Sequence, residues 1–400
     1  MLDSKFEAAL PILEKIETAG YQAFFVGGSV RNHILNIPIT DVDIATSAQP
    51  SAIQEIFPKV IPVGIEHGTV IVRHNHESFE VTTFRSEGSY SDNRHPDQVI
   101  FITDLNLDLS RRDFTMNAIA MDRSGDLFDP FNGKNDIRNK KIRTVGNPND
   151  RFMEDALRII RAFRFVSQLG FSIERDTLAA MGTSMELIET LAVERLANEI
   201  EKLFKGDYLT DAIFLCSKLN LWSNLPVFSK IDDVSSLLLN VHTPLNGLHE
   251  VFAYINIKIP AIEIKDIVKE WKQSNQTFHA TKHLVESVEL FTTYGLTPWL
   301  IYQLPDELYD SFIRLVKIDS GEEINKNQLQ KMAKELPIQN KKMIAFSGND
   351  LIKIYPDRLK GPWLKEYLDE IEYAIVTKKL TNNYNDIKEW VQTCHPPENA

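Results

Sequence analysis

Cysteine is almost missing from these 400 residues: Cys216 and Cys394 are the only two, and they lie far apart. Two such thiols make neither a disulfide framework nor a zinc motif, and they fit a reducing cytoplasm. Long apolar runs are missing too; none approaches the ~18 residues of a membrane span. The opening Met1-Leu2-Asp3-Ser4-Lys5 lacks the basic and apolar regions of a secretion signal. The expectation is a cytoplasmic protein with no membrane and no evident protein partner. Positive charge is in deficit, with a formal net charge of −12, which argues against indiscriminate affinity for polyanions but leaves room for a local basic face. Internal repeats and low-complexity segments are absent. What remains is ordinary globular composition, 43% apolar and 25% charged. The length exceeds one core, so two to four domains are expected.

The most informative stretch runs from Val26 to Ala45. Ala23-Phe24-Phe25-Val26 reads as a buried strand that stops at Gly27-Gly28, and Ser29 to Leu35 reads as a helix. Glycines at a strand-to-helix turn let backbone N–H groups approach a phosphate, and the helix N-terminus adds partial positive charge. Asp41 and Asp43 follow in a strand-like run, where period two sends both carboxylates to one face while Val42 and Ile44 face the core. A phosphate cradle beside paired carboxylates is the apparatus of Mg²⁺-dependent nucleotide chemistry, with Asp41 and Asp43 as metal ligands and catalytic residues. Gly27, Gly28 and Arg31 would hold the phosphates. The expected reaction is attack of a hydroxyl on an α-phosphorus with pyrophosphate leaving.

Around this stretch, Phe6 to Ala19 has helical spacing and Pro50 to Phe57 is a short helix. Lys59 to Val63, Thr69 to Arg73 and Phe79 to Phe84 read as strands, the last carrying Glu80 as a candidate third carboxylate. Arg85 to Gln98 breaks all periodicity and reads as a long functional loop, with Tyr90 and Arg94 able to meet a nucleotide. A helix is expected from Ser110 to Ala120; Arg111 and Arg112 leave it in different directions, so one of them faces a given ligand.

Lys134, Arg138, Lys140, Lys141, Arg143, Arg151, Arg158, Arg161 and Arg164 accumulate against only Asp136, Asp150, Glu154 and Asp155, which makes the local basic surface. One long helix is expected over 149–169, in which Asp155, Arg158, Arg161 and Arg164 form an i, i+3 row. The carboxylate–guanidinium pair suggests which base is read. A carboxylate accepts hydrogen bonds and a guanidinium only donates. Cytosine and adenine each place an amino donor beside a ring-nitrogen acceptor, whereas uracil and guanine place a carbonyl beside an N–H. An Asp–Arg pair therefore matches C and A and rejects U and G without a nucleic-acid template. From Phe171 onward the pattern is almost wholly helical. His279 and His283 lack a third ligand and read as ordinary helix histidines, and Asn349 or Asp350 would cap a late helix.

These motifs resemble the bacterial class II tRNA nucleotidyltransferases, the CCA-adding enzymes of the nucleotidyltransferase and poly(A) polymerase superfamily. Gly27 to Arg31 with Asp41-Val42-Asp43 looks like the catalytic motif of that family. Arg111-Arg112-Asp113-Phe114-Thr115-Met116-Asn117-Ala118 looks like its ribose-recognising motif, and Glu154-Asp155-Ala156-Leu157-Arg158 like its amino-acid template. Glu194-Arg195 to Lys202 is similar to the helix closing the neck. The resemblance implies an α+β nucleotidyltransferase head with a mixed sheet over 1–139, and then an extended all-α region. That region would comprise a neck over 140–207, a body over 208–300 and a tail over 301–400. It implies CTP and ATP as substrates, Mg²⁺ as cofactor, and tRNA bound by acceptor arm and elbow. Nucleotide contacts would fall on Gly28, Arg31, Arg112, Asp155, Arg158, Arg161 and Arg164.

A bacterial poly(A) polymerase shares the head motifs, but Val63 to Val70 resembles the CCA-adding pattern. A CC-adding relative lacks the loop present here as Glu87 to Arg94. A non-catalytic tRNA-binding protein would require a broken carboxylate pair or template, and both are intact. No histidine–aspartate phosphohydrolase motif follows.

Overall fold

The computed structural model describes residues 2–88 and 99–393, so Tyr90, Arg94 and Cys394 lie outside the described residues. Tertiary contacts divide the chain into two units, Met1–Pro244 and Leu245–Ala400.

In the first unit, Asp3 caps α1 (Ser4–Thr18) by accepting from the Lys5 amide, and the helix buries Phe6, Ala9, Ile12, Leu13 and Ile16 at helical spacing. Then come β1 (Ala23–Val26), α2 (Gly28–Leu35), β2 (Asp43–Thr46), α3 (Pro50–Ile56), β3 (Val60–Gly64), β4 (Thr69–His74) and β5 (Glu77–Thr83). Next are β6 (Arg85–Glu87), β7 (Val99–Phe101), α4 (Leu105–Ser110), β8 (Ala120–Met121) and β9 (Leu127–Phe128). A mixed sheet runs in the order β3-β4-β5-β2-β1-β8-β9. Its β2–β5 pair is parallel and sets Asp43 opposite Glu80. Phe25 meets Phe6 of α1 at 4.7 Å between ring centroids. Val26, Ala45 and Phe84 pack in a second cluster with Leu105 and Leu109 of α4.

Two expectations from the sequence fail here. The segment read as wholly irregular from Arg85 opens as β6, which pairs with β7. The helix expected over 110–120 does not form: α4 ends at Ser110, and only Thr115–Asn117 makes a 3₁₀ turn. Its amides have partners elsewhere. Asp113 accepts from the Phe114 amide, Thr115 donates to the Arg143 carbonyl, and the Asp113 carbonyl accepts from Val145. Backbone groups satisfied at long range do not need a helix.

The unit continues through α5 (Gly133–Arg138), β10 (Lys141–Ile142), α6 (Pro148–Glu154), α7 (Leu157–Leu169), β11 (Ser172–Ile173), α8 (Arg175–Thr183), α9 (Val193–Phe204), α10 (Leu209–Lys218) and α11 (Val234–Leu239). The expected helix over 149–169 is therefore two. Asp155 stands between them in extended conformation (φ −147°, ψ 102°), and its side chain accepts from the Leu157 amide at 3.0 Å. A short carboxylate that caps the next turn competes with helix continuation. Arg158, Arg161 and Arg164 share α7, but Asp155 is not part of their helical row.

The second unit is helical among its described residues: α12 (Leu248–Lys258), α13 (Ile264–Glu270), α14 (Asn275–Tyr294), α15 (Pro298–Gln303), α16 (Tyr309–Ser320), α17 (Lys326–Lys334), α18 (Gly348–Ile354), α19 (Trp363–Val376) and α20 (Tyr384–Thr393). Ile338, Phe346, Leu351, Trp363 and Ile371 anchor one of its cores. Glu250 is fully buried and accepts from Ser311, Arg314 and the Asn246 amide. Ser347, not Asn349 or Asp350, caps α18, and Asp350 answers from the first turn in a reciprocal capping box. Among the described residues no helix is long and apolar enough to cross a membrane.

Candidate active site

The strand-to-helix turn places the first functional groups. Gly27 has φ 72°, where glycine is favoured, and a Cβ there would stand 3.2 Å from an Arg112 nitrogen and 3.6 Å from an Asp43 oxygen. Turn, carboxylate and guanidinium thus converge. The N-terminus of α2 has no side-chain cap, and Gly27 and Gly28 face a cleft of about 700 Å³.

Asp41 precedes β2 and Asp43 opens it; both are exposed, while Val42 and Ile44 are buried, the alternation expected of a strand. Although Asp43 is accessible, it sits among dense neighbours. Loss of surrounding water raises its carboxyl above the usual range, Arg112 opposes the rise, and Asp41 adds to it. Glu80 is raised as well, first by burial and then by Asp43. Among the described residues neither the Asp41 nor the Asp43 side chain has a hydrogen-bond or ion-pair partner. Crowded carboxylates without a cation form a hard oxygen-donor set, which fits a divalent metal ion. Among the described residues no three carboxylate, histidine or cysteine side chains converge as a metal-binding group.

Arginines supply the opposite wall. Arg31 is buried, donates to Asn117 Oδ1 at 2.6 Å, and lies 5.0 Å from the Phe165 ring centre. Arg161 and Arg164 approach the same ring at 5.6 and 4.3 Å. Burial lowers Arg31 and Arg164 to about 10, and repulsion from neighbouring arginines contributes, so both stay charged at neutral pH. Arg112 pairs with the buried Asp108 at 3.4 Å, while its Nε is buried and, among the described residues, has no partner.

Asp155 and Arg158 both face the cleft; the Arg158 amide donates to the Asp155 carbonyl, but their side chains do not bond to each other. Asp155 Oδ2 accepts from Arg195 Nη2 at 2.7 Å. Arg158 Nη1 donates to Glu154 Oε2 at 2.7 Å and to the Arg151 carbonyl, and Nη2 donates to the Arg111 carbonyl. Each is held by a residue of opposite charge.

The cleft therefore gathers Gly27, Gly28, Arg31, Asp43, Arg112, Asp155, Arg158, Arg161 and Arg164; Asp41 lies at the strand end outside its lining. Eight arginines and Lys202 line it against Asp43, Asp113 and Asp155, which localises positive charge on a chain of net charge −12. Sequence reasoning missed Asp113, Asn117, Arg195 and Glu199 as site residues. Arg195, Glu199 and Lys202 carried a signal, since spacings of four and three put them on one face of α9. Glu199 receives Arg164 at 3.0 Å and Arg161 at 3.6 Å.

Comparison with known proteins agrees with this geometry. Residues 23–143 match the poly A polymerase head domain, 170–231 an RNA- and SrmB-binding site of polymerase A, and 250–391 domain 2 of tRNA nucleotidyltransferase. The CCA-adding enzyme of Oceanobacillus iheyensis is 46% identical over 100% of both chains. That of Listeria innocua is 40% identical over 98% of this chain and 99% of its own. The crystal structure of the Bacillus stearothermophilus CCA-adding enzyme in complex with CTP has a TM-score of 0.88 at 36% identity, covering 98% of each chain. Fold and site define a nucleotidyltransferase. The chain belongs to the CCA-adding enzyme family, and the expected α+β head followed by helices is what it adopts.

Proposed function

We propose that this chain adds C, C and A to the 3′ end of tRNA, using CTP and ATP and no nucleic-acid template. The supporting observation is the placement of Asp155 and Arg158 in one cationic cleft with Gly27, Gly28 and Asp43. Asp41 and Asp43 would hold the divalent ions, here Mg²⁺, which lower the pKa of a bound hydroxyl and offset phosphate charge. The amides at the uncapped start of α2 take the phosphates, and Arg31 and Arg112 hold their negative charge. Asp155 accepts the amino group of C or A, and Arg158 donates to the adjacent ring nitrogen. Arg161 and Arg164 fix α7 by their carboxylate partners and keep the cleft positive for the incoming nucleotide. With base, phosphates and tRNA terminus held, the 3′-hydroxyl attacks the α-phosphorus in line and pyrophosphate leaves.

The helical parts over 140–207, 208–300 and 301–400 serve as neck, body and tail. The body and tail bind the tRNA acceptor arm and elbow, in a cytoplasmic enzyme. Incubating tRNA that lacks its terminal CCA with Mg²⁺, CTP and ATP tests the reading. Addition of C, C and A followed by arrest is expected. No incorporation would overturn it, as would long A tracts or arrest after two C residues with ATP present.

A further inference from the structure

Arg195 has one arm engaged and one waiting. Its Nη2 donates to Asp155 Oδ2, while its Nη1 is buried and, among the described residues, has no hydrogen-bond partner. A buried guanidinium N–H without an acceptor is unfavourable, so an acceptor brought by a ligand would be gained at full value. Arg195 lines the cleft beside Asp155 and Arg158, which makes a nucleotide base the ligand in reach.

The chemistry of the two bases then separates them. The Leu157 amide donates to Asp155 Oδ1 and Arg195 Nη2 to Oδ2, and each oxygen keeps a lone pair; a base amino group accepted at Oδ2 shares that oxygen with Arg195. That amino group therefore sits beside the Arg195 guanidinium. On adenine its neighbour on the side away from N1 is N7, an acceptor; on cytosine the neighbour is the C5–H, which accepts nothing. We propose that Arg195 Nη1 donates to adenine N7, adding an adenine-only contact to a site whose Asp155–Arg158 pair treats C and A alike. This rests on the reading that Asp155 accepts the base amino group, and it gives adenine a contact that cytosine lacks from a residue outside that pair.

7-Deaza-ATP replaces N7 by C–H and keeps the amino group and N1. With full-length protein, Mg²⁺ and tRNA ending in CC, wild type is expected to use 7-deaza-ATP with kcat/KM about tenfold below ATP. That is the usual weight of a hydrogen bond from a charged donor. Arg195→Met, which keeps length and loses the donors, is expected to use the two nucleotides equally and to lose more with ATP than with CTP. Equal use of both by wild type would overturn the proposal. So would an unchanged 7-deaza penalty in Arg195→Met, which marks a merely positioning role. If that variant does not fold, the wild-type ratio alone decides. Failure of the underlying reading is separate: Asp155→Asn would then leave the choice of C over U unaltered.

Discussion

Arg161 grips Asp113 through two nitrogens, Nη2 at 2.6 Å and Nε at 2.8 Å. Asp113 also accepts from Asn117, whose carbonyl receives Arg31, and Arg161 reaches on to Glu199. A charge-alternating chain thus ties α9 and α7 to the 111–117 segment and to α2. Arg161, expected to meet the nucleotide, lines the cleft and is also part of this frame.

Asp113→Asn should therefore cost roughly 3 kcal/mol, because it leaves the half-buried Arg161 guanidinium without its main partner at a buried site. The Arg161 guanidinium and hydrogen bonds from Asn117 and Phe114 outweigh burial and hold the Asp113 carboxyl down at about 2. Its folded pKa lies below the unfolded value of ~4. The stabilisation is thus complete above pH ~4 and fades as pH falls toward 2. Urea unfolding of both proteins at pH 7 and pH 3 checks this: the gap should narrow at pH 3.

Asp43→Asn should abolish turnover, lowering kcat by about a thousandfold or more. Without divalent metal the variant should melt slightly higher than wild type, because the raised Asp43 carboxyl opposes folding above its unfolded pKa. Added Mg²⁺ should raise the wild-type Tm and leave that of the variant nearly fixed. Thermal melts with Mg²⁺ and with EDTA test both signs.

Gly206 lies just past α9, where a Cβ would collide with the Ser167 side chain and carbonyl. Gly206→Ala should lose about 1–3 kcal/mol by forcing α9 away from α7. Because α9 carries Arg195 and Glu199, kcat/KM should fall as well. Chemical denaturation and steady-state kinetics measure the two effects.

The strand–glycine–helix turn and the Asp41–Asp43 alternation were legible because periodicity and local turn chemistry decide them. The break at Asp155 was not: hydrophobic spacing runs unbroken from Phe152 through Leu157 and Ile160, and only the side-chain cap on Leu157 reveals two helices. Residues 110–120 looked helical because the groups that replace a helix there, the Arg143 carbonyl for the Thr115 amide and the Val145 amide for the Asp113 carbonyl, lie about 30 residues on, which no local pattern encodes. The face of α9 that carries Arg195 was legible, but its bond to Asp155 was not, since that partner lies 40 residues away.

The central claim is that Asp155 and Arg158 choose the base. The most direct measurement is the ratio of kcat/KM for CTP over UTP on tRNA lacking CCA, in wild type and in a variant carrying Asp155→Asn and Arg158→Gln together. Amides both donate and accept, so the variant should lose about a hundredfold or more of that preference while retaining some incorporation. An unchanged ratio in the folded variant would contradict the claim.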